Sequence, residues 1–131
     1  MEKPRVVFVD DHRTMRLTLV ELVCGIYLKD LTFDTVQLSS TEELLRWLAD
    51  GNVAHAIVCD NNTGSALTGS RALAQLRDGH IRTPFLLFTF DNLDEDACEE
   101  LLRLDAAHVN KGSDNAVDLI AEFIRNALRS P

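Results

Sequence analysis

Apolar positions in this chain fall into two kinds of run that take turns. Short, nearly continuous apolar runs read as parallel strands buried on both faces. Longer stretches with apolar residues every three or four positions read as amphipathic helices. Arg5–Val9 (RVVFV) is the first strand-like run. After Asp10 and Asp11 the spacing predicts a helix over 14–28, with Met15, Leu19, Leu22, Val23 and Ile26 on one face and Gly25 weakening its end. A second, less apolar strand is predicted over 32–38, at a sheet edge. Ser40 with Glu43 has the spacing of a capping box. The helix it opens carries Leu44, Leu45, Trp47 and Leu48 and stops at Gly51-Asn52.

The second half repeats the alternation. Residues 54–59 (AHAIVC) form a buried strand that ends at Asp60, and 61–69 (NNTGSALTG) have loop composition. A helix comes next over 70–77, with Leu73 and Leu76 inward and Asp78-Gly79 at its end. Residues 85–90 (FLLFTF) are a fourth buried strand. Asn92 with Glu95 repeats the cap spacing and opens a helix to 104. Residues 107–110 are a short fifth strand, and Ser113 or Asp114 is expected to cap a last helix. That helix sets Val117, Ile120, Phe123, Ile124, Ala127 and Leu128 on one face. Five strands alternating with five helices imply an α/β fold: a parallel sheet with helices on both faces, most simply in the flavodoxin-like order 2-1-3-4-5.

Length and composition fit that architecture. The 131 residues suit one domain spanning 1–131, with 46% apolar and 26% charged residues. The net charge of −8 repels nucleic-acid phosphates, so no direct nucleic-acid binding is expected. Cys24, Cys59 and Cys98 are odd in number and form no CxxC pair, which points to buried, reduced thiols in a cytoplasmic protein. No apolar stretch is long enough to span a bilayer, and Met1-Glu2-Lys3-Pro4 leads straight into a strand, so neither a membrane contact nor a signal peptide is expected.

In an open α/β sheet, chemistry gathers at the carboxyl ends of the strands. Asp10 and Asp11 follow the first strand, Asp60 the third, and Lys111 the fifth, while Thr89 closes the fourth. With strands one and three adjacent, three carboxylates converge. Like charges so placed raise one another's pKa values unless a cation relieves them. Mg²⁺ suits few carboxylates, because it keeps several waters and also binds phosphate oxygens. Mn²⁺ is able to substitute. Lys111 can pair with a carboxylate or a phosphoryl oxygen, and Thr89 can hydrogen-bond the latter. One carboxylate can attack phosphorus, forming an aspartyl phosphate.

These residues resemble the response-regulator receiver family. VFVDDH matches its first strand and acidic pair, VCDNN with GSRALAQLR its acceptor strand, loop and third helix, FLLFTF its switch threonine, and HVNKG its lysine. The resemblance covers essentially the whole chain. It implies metal binding by Asp10 and Asp11, phosphoacceptance by Asp60, a switch hydroxyl at Thr89 and phosphate contact by Lys111. It adds Asn62 as a metal ligand through its backbone carbonyl. The partners it implies are a sensor histidine kinase or phosphotransfer protein. An effector domain or a homodimer would use the face of helix four, strand five and helix five. The VDDH form is similar to receivers joined to a helix-turn-helix output domain. Such a chain is not an enzyme in the ordinary sense, but a phosphoacceptor that assists its own phosphorylation and dephosphorylation.

Several positions depart from the pattern. Thr63-Gly64 stands where Met-Pro is usual, in a loop one residue longer, and Phe90 replaces a small residue. His108 replaces the aromatic rotamer switch, and Gly112 replaces the proline after the lysine, so a trans bond is expected there. His108 is read either as that switch or as a surface histidine. The departures keep alive a second reading, a degenerate receiver-like module that binds partners without phosphorylation. A small α/β enzyme is disfavoured, since there is no GxGxxG, no GxxxxGK[ST] and no acid at position 62.

Overall fold

A computed structural model describes residues 3–90 and 92–129. Its sheet contains β1 (Arg5–Val9), β2 (Asp34–Leu38), β3 (Ala56–Asp60), β4 (Phe85–Thr89) and β5 (Ala106–Asn110). All pairings are parallel, in the expected order β2-β1-β3-β4-β5. The central strands β3 and β4 are buried at every residue, which explains their unbroken apolar runs. The partly exposed β2 and β5 stand at the edges.

Alternate residues feed two cores, because successive strand side chains point to opposite faces. Val6, Phe8, Val58, Leu86 and Phe88 pack against α1 (Arg13–Leu22) and α5 (Ala116–Arg129), where Ile120 and Ile124 are fully buried. Val7, Ile57, Cys59, Phe85 and Leu87 pack against α2 (Thr41–Ala49), α3 (Gly69–Asp78) and α4 (Glu95–Arg103), chiefly through Leu44, Leu73, Leu76 and Leu101.

The structure corrects several local expectations. The first helix ends at Leu22 and continues as one π turn, Val23–Tyr27, in which the Leu28 N–H donates to the Val23 carbonyl at 2.8 Å. The wider turn rotates the side chains at and beyond it about the helix axis. Val23 and Leu28 point into the core, while Ile26 is left 60% exposed. Ser40 caps α2 as expected, but the Glu43 carboxylate reaches the N–H and hydroxyl of Ser39 rather than the cap residue's own N–H. The cap of α4 is Asp94, whose side chain accepts from the Ala97 N–H, so the helix starts later than Asn92 implied. Helix α5 starts at Ala116, whose N–H donates to the Ser113 carbonyl at 3.2 Å. Of the thiols, which are all free, only Cys59 is fully buried, and Cys98 is exposed.

Gly69 opens α3 against the end of β3. A Cβ there would lie 2.6 Å from the Asp60 carbonyl oxygen and 2.8 Å from Leu87 Cδ1. We expect Gly69→Ala to cost roughly 1–3 kcal/mol, as overpacking does. Urea unfolding of the two chains checks this, and equal midpoints would contradict it.

Candidate functional site

Register builds the site. Val9 pairs with Cys59, so the next residue on each strand brings Asp10 beside Asp60. Thr89 pairs with Asn110, so Lys111 comes directly after, and its N–H donates to the Thr89 carbonyl at 2.8 Å. The Lys111 ammonium lies 3.2 Å from Asp10 Oδ2 and 3.1 Å from Asp60 Oδ2. All three side chains are almost buried. Each carboxylate's other oxygen accepts a backbone N–H, His12 on Asp10 at 2.9 Å and Asn62 on Asp60 at 3.3 Å. Phe88 and Phe90 place ring centroids 5.2 and 5.5 Å from the ammonium, within cation–π range.

Asp11 completes the acidic group from an exposed position. One oxygen from each of Asp10, Asp11 and Asp60 lies within 4.8 Å of the others. Two carboxylates already share one ammonium, so the cluster keeps net negative charge. Burial pushes the Asp60 carboxyl above its ordinary value, and the Asp10 charge adds to this. The Lys111 ammonium and the Asn62 N–H pull it back only in part. An all-oxygen donor set with uncompensated charge fits a hard divalent cation. Asn62 lines the same cleft.

The cleft has a volume of about 320 Å³ and is bounded by the acidic residues together with Thr89, Lys111, Met15 and Phe90. Thr89 is 3% exposed, and Phe90 stands 62% exposed at the rim. Asp10, Asp11, Asp60, Asn62, Thr89 and Lys111 are therefore brought together. His108 is not. It is half-buried in β5, near Cys98, Leu101 and Leu102, away from the cleft. Its Nε2 has no hydrogen-bond partner among the described residues, and burial lowers its pKa. No peptide bond among the described residues is cis, and the turn at Gly112 is held by its N–H on Asn110 Oδ1 at 2.7 Å.

Arg16 is a positioning residue that the sequence did not reveal. Its guanidinium donates to the Asp10 carbonyl and to Gln37 Oε1, tying the β1–α1 loop to edge strand β2. It looked like any charge on the outer face of a helix. Met15 keeps company with Leu19 and Leu22 along α1, as expected, and also reaches the cleft.

The fold recurs among solved receiver domains. The receiver domain of the Francisella response regulator 1452 superposes with a TM-score of 0.77 at 20% identity, covering 95% of both chains. The receiver domain of NtrX from Brucella abortus gives 0.72 at 22% identity, covering 96% of this chain and 99% of the other. The signal receiver domain of an HD domain-containing protein from Pseudomonas fluorescens Pf-5 gives 0.75 at 17% identity, covering 98% and 88%. No family model matches the chain, and no curated protein matches it. At these identities the likeness establishes the receiver fold, and the chemistry rests on the residues themselves.

The raised Asp60 pKa has a consequence for stability. Below the ordinary carboxylate value Asp60 is protonated both folded and unfolded, and it opposes folding least. As pH rises through the raised folded value, the native state must ionise a buried group, and stability is lost. In metal-free protein at pH 7, Asp60→Asn should therefore be more stable than the parent. The gain should shrink toward pH 4. Chemical denaturation at both pH values decides, and a variant less stable at pH 7 would refute the assignment.

Proposed function

We propose that this receiver-fold chain accepts a phosphoryl group on Asp60 in a Mg²⁺-dependent reaction and thereby switches a partner-binding face. The observation that carries the reading is the Lys111 ammonium shared by Asp10 and Asp60, beside a third carboxylate and the buried Thr89. In this reading an Asp60 oxygen attacks the phosphorus of a phosphohistidine. The new O–P bond forms as the P–N bond breaks, and the leaving imidazole takes a proton from solvent. Lys111 transfers its pairing to a phosphoryl oxygen, and the Thr89 hydroxyl donates to another. Asp10, Asp11, Asp60 and the Asn62 carbonyl hold the cation, Mg²⁺ or Mn²⁺. That ion, when bound, supplies Lewis-acid neutralisation of the phosphoryl charge.

Residues 1–131 act here as one receiver unit in the cytoplasm. It is not an enzyme on a second substrate, but it assists the making and breaking of its own acyl phosphate. The donor is a sensor histidine kinase or phosphotransfer protein. Output passes through α4, β5 and α5 to an effector domain or a second copy. His108, half-buried in β5 with an unpartnered Nε2, supports a ring able to reorient when Thr89 moves.

One observation favours a second reading, a phosphorylation-independent interaction module. The exposed Phe90 ring stands at the cleft mouth within 5.5 Å of the Lys111 ammonium. Beryllofluoride with Mg²⁺ distinguishes the two, since the first reading requires amide shifts around the cleft and in α4–β5, and unchanged spectra at saturation favour the second.

Acetyl phosphate with Mg²⁺ should add one phosphoryl group to the parent chain, as read by mass spectrometry. Asp60→Asn and removal of the cation with a chelator should each abolish it. Lys111→Met should slow labelling by roughly 100-fold, as loss of one preorganised charge does. Labelling that survives in Asp60→Asn defeats the assignment.

A further inference from the structure

The β3–α3 loop, which carries Asn62, is fastened at its middle by a residue outside it. Thr41, the first residue of α2, is fully buried. Its N–H donates to Thr63 Oγ1 at 3.3 Å, and its hydroxyl donates to the Leu67 carbonyl at 2.6 Å. Ser65 Oγ lies 3.3 Å from Thr41 Oγ1 and 3.5 Å from Thr63 Oγ1, and it also donates to the Leu67 carbonyl at 3.1 Å. Thr63 is itself buried. Three hydroxyls thus form one cluster between the loop and the start of α2.

The loop's ends are pinned separately. The Gly69 N–H donates to the Asn61 carbonyl at 2.8 Å, and the Ser70 N–H to Asn61 Oδ1 at 3.1 Å. Asn62 lies between these anchors, with its N–H on Asp60 Oδ1 and its Oδ1 accepting from the Gly64 N–H at 3.0 Å. Gly64 takes φ +78°, and a Cβ there would lie 3.3 Å from Asp11 Oδ2. The middle of the loop therefore runs beside two of the three carboxylates. It contains a glycine, Gly64, and no proline, so its backbone has nothing covalent to stiffen it.

We propose that Thr41 is a positioning residue for the cation site. Through Thr63 and Ser65 it holds the 61–67 loop in the form that aims Asn62 at the cleft. The inference rests on the reading of Asp10, Asp11 and Asp60 as a cation site. Outer groups that fix a ligand's orientation raise affinity, because the ordering cost is met on folding rather than on binding.

The test uses the full chain with Mn²⁺ alone, its binding followed by the loss of free-ion electron paramagnetic resonance signal. Thr41→Val, which keeps the shape and removes the hydroxyl, should weaken Mn²⁺ binding by roughly tenfold. Thr41→Ser should restore most of it. Metal-free hydrogen exchange over 61–67 should be faster in Thr41→Val. A merely structural role lowers the metal-free melting temperature and leaves the Mn²⁺ dissociation constant unchanged, and that result overturns the proposal. If Thr41→Val does not fold, Ser65→Ala decides by the same constant. A parent chain that binds no Mn²⁺ instead overturns the cation-site reading itself, and the positioning role falls with it.

Discussion

One ammonium between two carboxylates governs the carboxyl edge of this sheet. Lys111 lies about equally close to Asp10 and Asp60, and all three side chains are nearly out of water. Two ionised carboxylates so placed, without a cation, repel strongly in a medium of low polarity. The lysine makes their proximity tolerable. It does not outweigh burial, which pushes the Asp60 carboxyl above its ordinary value. With Asp11 beside them, three carboxylates face one ammonium, and the edge keeps an excess of negative charge.

That arrangement depends on the sheet being stiff. The ammonium reaches both acids only because β5, β4, β3 and β1 keep parallel register over the length of each strand. Two cores, one on each face, lock the register. A one-residue slip in β3 would turn Asp60 to the opposite face of the sheet and bring Cys59 beside Asp10. Cys59 is wholly buried, and its thiol is held neutral by that burial and by the nearby carboxylates. Core packing and site chemistry are thus joined along a single strand.

The rim is less rigid than the floor. Phe90 presents an exposed ring beside the ammonium, and Gly112 stands where a proline would stiffen the turn. Polar groups supply the stiffness in their place. Asn110 holds the Gly112 turn and reaches Asn92 across to the start of the α4 segment. Hydroxyls of Thr41, Thr63 and Ser65 hold the β3–α3 loop. Such bonds break and reform at smaller cost than core packing, so local opening belongs to these loops rather than to the strands.

The strands, their number and the residues that end them were legible in the order of amino acids alone. Buried parallel strands must be continuously apolar, so AIVCD and FLLFT announce themselves, and the polar residues that stop the runs, Asp10, Asp60 and Thr89, fall at the edge where a site forms. Polar contacts between residues far apart in the chain were settled only by folding. Arg77 ends the predicted third helix, and it is buried and donates to the carbonyls of Ile81, Thr83, Leu104 and Asp105. Nothing in the spacing singles out Thr41 or Arg16. The π turn that exposes Ile26 left no mark on the helical spacing. The physical reason is the same in each case. Apolar periodicity records which face of an element leaves water, a property local to that element. The partner of a hydrogen bond is set by where a distant segment comes to rest, and no spacing along the chain encodes it.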